Sequence, residues 1–299
     1  MPTRHVVFVA PFLMPATTRF VAAAAGLPGV RLSLVSQDPL ERAPAELRHR
    51  LSGHWRVEEA LDARSILAAV QALARVGPVE RLIGSLEQLQ VPLAEARAAL
   101  GLPGLTVEAA HNFRDKNRMK DVLAGAGLPC AQHRLIANAA DAEGFVLEVG
   151  FPVIAKPPAG AGAINTFRLN DATALREYLA AFPPHPHRPA LLEEFLSGEE
   201  HSFDSILLAG ELVWHSISVY RPAPLTVVEN PWIQWCVLLP REMGLEFDPI
   251  RHAAARALRT LGLVTGMTHM EWFRRGDGSV AISEVAARPP GAQFTSLIS

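Results

Sequence analysis

Asp277-Gly278 lies between two β-type runs, Thr268 to Arg274 and Ser279 to Val285, and no other feature constrains the folded chain so tightly. A two-residue hairpin turn needs φ > 0 at both central positions, which Asp-Gly supplies, so the segment predicts a β-hairpin. With those residues as the turn, Glu271 stands directly opposite Glu284, Cβ atoms about 4.5–5.5 Å apart. Two ionised carboxylates that close repel, and the pair persists where a cation lies between them or one keeps its proton. Hard Mg²⁺ takes carboxylate and phosphate oxygens together and suits such a pair. A solvated hairpin with two surface glutamates also fits this segment, and a longer turn would shift the register and spoil the pairing. Just beyond, Arg288 precedes Pro289-Pro290-Gly291. The prolines stiffen the backbone, so the guanidinium is placed either to grip a phosphate or carboxylate in two-point fashion or to pair with a neighbouring acid.

Upstream, β-type runs alternate with helical segments, the pattern of a parallel α/β sheet. His5 to Ala10, Val30 to Val35 and Arg81 to Gly84 read as strands, Ser65 to Arg75 and Val91 to Leu100 as helices, the last ending at Gly101. Pro103-Gly104 breaks the chain, and a domain boundary is expected near residue 108. Lys116 to Ala126 reads as a basic amphipathic helix closed by Gly127, Pro152 to Lys156 as a strand, and Asp171 to Phe182 as a helix. A Pro-rich linker follows at Pro183 to Pro186, then the apolar run Leu191 to Leu196, and a helix from Pro249 to Gly262 with the glycine as its cap.

Two lysines stand out. Lys156 ends a buried strand, and period-2 alternation puts Ile154 on its face, an apolar residue beside an ammonium that suits a purine and its phosphates. The following Pro157 to Ala163 has only small side chains, so its N–H groups can approach a polyphosphate, or it is a plain surface turn. It lacks the Gly-Lys-Ser/Thr ending of a Walker loop. Lys116 opens its helix against the macrodipole, which hints at an anionic partner unless Asp115 neutralises it.

Charged residues make up 19% of the 299, with a formal net charge of -2 and no Lys/Arg-rich run, so nothing points to nucleic acid or an anionic membrane. Val6 to Phe12 is too short for a signal-peptide core or a membrane span. Cys130 and Cys236 lack metal-type spacing and read as free or buried thiols of a cytoplasmic protein. Ser299 follows soon after the most suggestive segment, and a longer native polypeptide is expected.

In order and spacing, these segments resemble the ATP-grasp superfamily over roughly residues 80–295, especially its carboxylate–amine ligases and more remotely biotin carboxylase and carbamoyl-phosphate synthetase. The resemblance implies an α/β ATP-grasp fold: a Rossmann-like domain over 1–108, a small lobe over 109–190 with a phosphate-covering loop, and a C-terminal lobe over 191–299, the two lobes sandwiching the nucleotide. Gly84-Ser85-Leu86-Glu87 looks like the strand-end segment of the lead-in domain. Asp115-Lys116 and Pro152 to Lys156 look like the two phosphate-lysine motifs. Leu192 to Leu196 resembles the hinge that binds adenine, which implies nucleotide contacts at Glu193, Glu194 and Leu196. Gly198 to Asp204 resembles the next segment and implies Glu200 near the ribose or catalytic centre. Phe273 would pack on adenine opposite Ile154. Glu271 and Glu284 match the magnesium carboxylates, and Arg288 the arginine at the transferred phosphate or substrate. Ala286 departs from the Asn found there in many members.

The implied chemistry is ATP- and Mg²⁺-dependent, with Mn²⁺ a possible substitute. A carboxylate becomes an acyl phosphate, and an amine or similar nucleophile then displaces phosphate, with Arg288, Lys156 and Glu284 central to catalysis. The implied partners are small-molecule acids and amines, with a homodimer possible. Two rivals are a bicarbonate-phosphorylating enzyme and an inactive ATP-binding regulator. Within His215 to Trp235, Tyr220, Arg221, Trp232 and Trp235 are read either as an acceptor pocket, with Arg221 holding a carboxylate, or as core packing. His201 and His269 are read as structural.

Overall fold

The computed structural model describes residues 3–160, 164–230, 232–291 and 295. Among them the strands form three sheets. The first is parallel, in the order β3-β2-β1-β4, from β1 (Arg4–Val9), β2 (Val30–Ser36), β3 (Gly53–Arg56) and β4 (Arg81–Ile83). Helices α1 (Pro15–Ala25), α2 (Ala45–Arg50) and α3 (Ala63–Leu73) join them, and α4 (Gln90–Leu100) follows β4. Along β1, Val6 and Phe8 enter one apolar cluster and Val7 and Val9 another. Both faces are therefore covered, which is why β1 reads as unbroken hydrophobic sequence. The small-residue stretch from Thr17 belongs to α1, which starts at Pro15 in the first-turn position that a proline tolerates and is capped by Gly26.

Helix α5 (Val107–Arg114), capped by the Thr106 side chain, spans the expected boundary near residue 108. Asp115 caps α6 (Lys116–Gly125) by accepting from the N–H groups of Asn117 and Arg118. The second sheet is antiparallel, in the order β5-β8-β6-β7, from β5 (His133–Ile136), β6 (Val153–Lys156), β7 (Phe167–Leu169) and β8 (Ala190–Glu194). Its apolar face, Val153, Ala155 and Leu192, packs with Phe145 of α7 (Ala139–Val149) and Leu175 of α8 (Ala172–Ala181). β8 carries this sheet beyond residue 190 to Glu194.

The third sheet is antiparallel, in the order β11-β10-β9-β12-β13, from β9 (Glu199–Leu208), β10 (Glu211–Arg221), β11 (Cys236–Leu238), β12 (Gly266–Arg274) and β13 (Val280–Ala286). Its far face, with Phe203, Met270, Trp272, Ile282 and Val285, packs on α5, α6 and α10 (Asp248–Thr260). Residues from 113 to 128 thus share the core of this sheet. Its near face looks toward the second sheet across a cleft.

Candidate nucleotide and metal site

The hairpin of β12 and β13 reaches the expected pairing by an unexpected route. Its turn is longer than Asp277-Gly278: Arg275 N–H donates to Ser279 O (2.9 Å), Gly278 N–H donates to Arg275 O (3.0 Å), and Gly278 sits at φ 82°. This is a three-residue loop closed by a left-handed glycine. That loop alone would set Glu271 against Ser283 and turn Glu284 into the apolar core. A β-bulge intervenes: Trp272 faces Ile282, yet Glu271 faces Glu284. Ser283 is the extra residue, and it returns Glu284 to the cleft face. The two-residue turn is corrected, and the opposition of the carboxylates holds.

Glu200, Ser202 and Asp204 of β9 share this face, in register with Phe273, Glu271 and His269 of β12. Asp204 Oδ1 lies 2.7 Å from His269 Nδ1, and His269 Nε2 lies 3.7 Å from Glu271 Oε1. Burial opposes charge on His269, but hydrogen bonds to Asp204 and Glu271 overcome it and push its pKa up to about 9. Glu271 is held below the usual carboxylate range: burial would raise it, but His269, Lys156 and Lys116 outweigh that. Glu200 goes the other way, pushed up to about 8 by burial and by the charges of Glu271 and Glu284. His269, read from sequence as structural, therefore lines the cleft. His201 is buried on the far face, stacked on Trp272 at 4.4 Å between ring centroids.

Among the described residues, no group of three or more His, Cys, Asp or Glu is gathered as a metal-binding cluster. The donor set still fits Mg²⁺: Glu271 and Glu284 offer hard oxygens, and Glu200 beside them retains a proton, the mark of a place short of positive charge. Ala286, two residues after Glu284, sits opposite His269 and supplies no oxygen donor from its side chain.

The second sheet and helix α6 contribute cations. Ile154 and Lys156 share the sheet's cleft face with Glu193, the register partner of Ile154. Lys116 Nζ, at the start of α6, lies 2.8 Å from Glu284 Oε1 and donates to Gly160 O (3.1 Å), tying the start of the Gly/Ala loop to the helix. Ala161, Gly162 and Ala163 of that loop lie outside the described residues. Lys156 Nζ meets Glu193 Oε2 at 2.9 Å. Glu193 lines the cleft with Glu194 and Leu196. Its backbone is flanked by β5 and β6, with His133 and Ile154 as its register partners. Its buried carboxylate serves Lys156 and Lys120, whose charges hold it in the ionised range despite burial. Glu194 and Leu196 line the cleft at the hinge, with Phe273 packed near Leu196.

The cleft encloses about 550 Å³ and takes in Lys116, Ile154, Lys156, Glu200, Glu271, Phe273, Glu284 and Arg288. Arg288 donates from Nε (3.0 Å) and Nη2 (2.9 Å) to Glu87 Oε2, and Arg114 Nη1 donates to the other oxygen at 3.3 Å. Of the expected acceptor residues, Tyr220 and Trp235 line the cleft with a short helix, α9 (Pro224–Glu229). Arg221 does not; the alternation of β10 turns it to the outer face, where it pairs with Glu199 at 3.2 Å. Trp232 is 78% exposed and stands apart from the cleft. The sequence reading missed Lys120 and the His269–Asp204 pair. The signal for Lys120 was present, since it falls one helical turn after Lys116 on the same face.

Two antiparallel sheets closing on a cleft, Lys156 on one and facing carboxylates on the other, after a parallel α/β domain, make up the ATP-grasp fold, as the sequence resemblance implied. Comparison with solved structures agrees: an L-amino acid ligase from Bacillus licheniformis superposes with a TM-score of 0.80 at 20% identity, covering 100% of this chain and 70% of that one. N5-carboxyaminoimidazole synthetase from Staphylococcus aureus, solved with ADP, gives 0.77 at 12% identity, covering 100% of this chain and 74% of the other. In sequence, the chain is 24% identical over 260 residues to an L-arginine-specific L-amino acid ligase of Bacillus subtilis, over 83% of this chain and 62% of that ligase. The chain thus spans less than two thirds of that relative's length. No family model matches it.

Proposed function

We infer that this chain binds Mg·ATP in the cleft, transfers the γ-phosphoryl group to a small-molecule carboxylate, and passes the acyl group to an amine. The observation that carries this reading is the meeting of Lys116, at the start of α6, with Glu284, 2.8 Å apart, which sets an ammonium against the paired carboxylates in the cleft. Adenine would lie between Ile154 and Phe273, against the hinge backbone at Glu194 and Leu196, with Glu200 near the ribose. Lys116 and Lys156 would take phosphate oxygens, and Glu271 and Glu284 would hold Mg²⁺, or Mn²⁺ in its place. Bound there, the metal supplies positive charge to the phosphate oxygens. Arg288, steadied by Glu87, would hold the transferred phosphate or the acid.

A substrate carboxylate oxygen forms the bond to the γ-phosphorus as the bond to the β,γ-bridging oxygen breaks, releasing ADP. The amine then attacks the acyl carbon, phosphate leaves, and the amine loses a proton. The work of the residues is positioning and charge stabilisation. The cleft walls exclude water that would hydrolyse the acyl phosphate. The described helices include none long and apolar enough to cross a membrane. A cytoplasmic setting, where ATP and magnesium are supplied, and a homodimer complete the reading.

The test is magnesium-dependent ADP release, screened against pools of amino acids and small carboxylic acids with added amines. Release stimulated by one acid–amine pair is expected. Release stimulated by bicarbonate alone would favour a carboxylase-type reaction, and tight ATP binding without release under any condition would favour a regulator.

A further inference from the structure

Lys120 is fully buried, and burial works against its charge. It reaches from α6 to both sheets of the cleft. Its Nζ donates to Ser283 O (2.8 Å), the carbonyl of the bulge residue that sets Glu284, and lies 3.5 Å from Glu193 Oε1. The other oxygen of Glu193 meets Lys156 Nζ at 2.9 Å. The terminal torsion of a glutamate is soft, so a carboxylate held at one oxygen can swing about it. Here Lys156 holds one oxygen at 2.9 Å and the buried Lys120 ammonium attracts the other from 3.5 Å by charge, which favours one orientation of the carboxylate plane and hence the direction from which it holds Lys156. Keeping a charged lysine in a fully buried position is costly, and removing one member of a buried ionic cluster exposes that cost. Plain packing at this site would be better met by an apolar side chain.

We propose that Lys120 is a positioning residue for the nucleotide: anchored on the Ser283 carbonyl, it orients the Glu193 carboxylate, which in turn aims the Lys156 ammonium into the cleft. Lys120 touches no part of the cleft surface itself and acts through Glu193. The proposal rests on the ATP-binding reading above and adds to it a residue outside the expected set.

The experiment is ATP binding by calorimetry, with and without magnesium, on the full chain and on the variants Lys120→Met, Lys156→Met and the double variant, each with its melting temperature recorded. Lys120→Met is expected to weaken ATP binding about tenfold, whereas in the Lys156→Met background it should change affinity by less than about twofold, because coupled residues are non-additive. Equal losses in both backgrounds, or undiminished affinity in Lys120→Met, would overturn the proposal. Where Lys120→Met does not fold, the same comparison is made between Glu193→Gln and Lys120→Met/Glu193→Gln, which removes the buried pair together. Those two should bind ATP alike, and a further loss in the double variant overturns the proposal. Absence of ATP binding by the unaltered chain would instead refute the underlying nucleotide reading.

Discussion

At the residue scale, charge decides the site. Glu284→Gln keeps the side-chain shape and one oxygen while removing the anion facing Glu271. Magnesium-dependent ADP release should disappear in this variant, with folding stability changed by only about 1 kcal/mol for the weakened contact to Lys116; turnover at the normal rate would sink the metal assignment. Lys156→Met removes a cation from the cleft and should raise the Kd for ATP about tenfold or more, about 1.4 kcal/mol, as read by calorimetry. Glu200 makes a pH prediction. Its folded pKa of about 8 lies above its ordinary 4.5, so between those values the folded state binds more protons than the unfolded one. Stability contributed through this proton is present below pH 4.5 and lost as pH rises toward 8. Melting temperatures measured across that window should fall less steeply for Glu200→Gln; parallel curves would refute the raised pKa.

At the element scale, the hairpin of β12 and β13 shows how one inserted residue decides chemistry. The turn takes in one residue more than Asp-Gly alone predicts, Gly276 on the β12 side, and the bulge adds one residue, Ser283, on the β13 side, so the two displacements cancel at Glu284. Deleting Ser283 should leave a regular ladder in which Glu284 follows Ile282 directly and still faces Glu271, so magnesium-dependent turnover should persist; complete loss of turnover in a folded deletion variant would contradict this reading of the bulge. A milder probe is Gly278→Ala. Nothing lies within 4 Å of the added Cβ, but φ is 82°, so the cost is purely of backbone, about 1–2 kcal/mol. A urea midpoint unchanged from that of the parent chain would contradict the observed turn.

At the scale of the whole molecule, Glu87 joins the parallel domain to the cleft. It follows β4, is buried, and accepts from both Arg288 and Arg114. Glu87→Ala leaves two half-buried guanidinium groups without their shared acid, a loss of about 2–3 kcal/mol after allowance for their partial exposure. Calorimetric unfolding should show the first domain melting earlier and separately from the rest, and ATP turnover should fall because Arg288 loses its support. A single undiminished transition would show that this contact does not couple the domains.

Much of this was legible in the sequence by itself. Alternating apolar runs give β1, β2 and β4 because strands covered on both faces must be apolar throughout. The helix caps of α4 and α6 and the two strands around Asp277-Gly278 follow from local backbone preferences of glycine and aspartate. The spacing of Lys116, Lys156, Glu271, Glu284 and Arg288 carried the resemblance and hence the fold. Only the tertiary structure decided the rest. The β7, β9 and β10 strands were hidden because a polar cleft face and charged edges break the simple alternation. The bulge at Ser283 depends on which face the core of α6 and α10 demands. The use of Glu193 for two lysines, the approach of His269 to Asp204, and the grip of Arg288 on Glu87 join residues far apart in the chain. Such contacts are set by how three sheets pack, where burial makes each charge find a partner, and no local spacing encodes them.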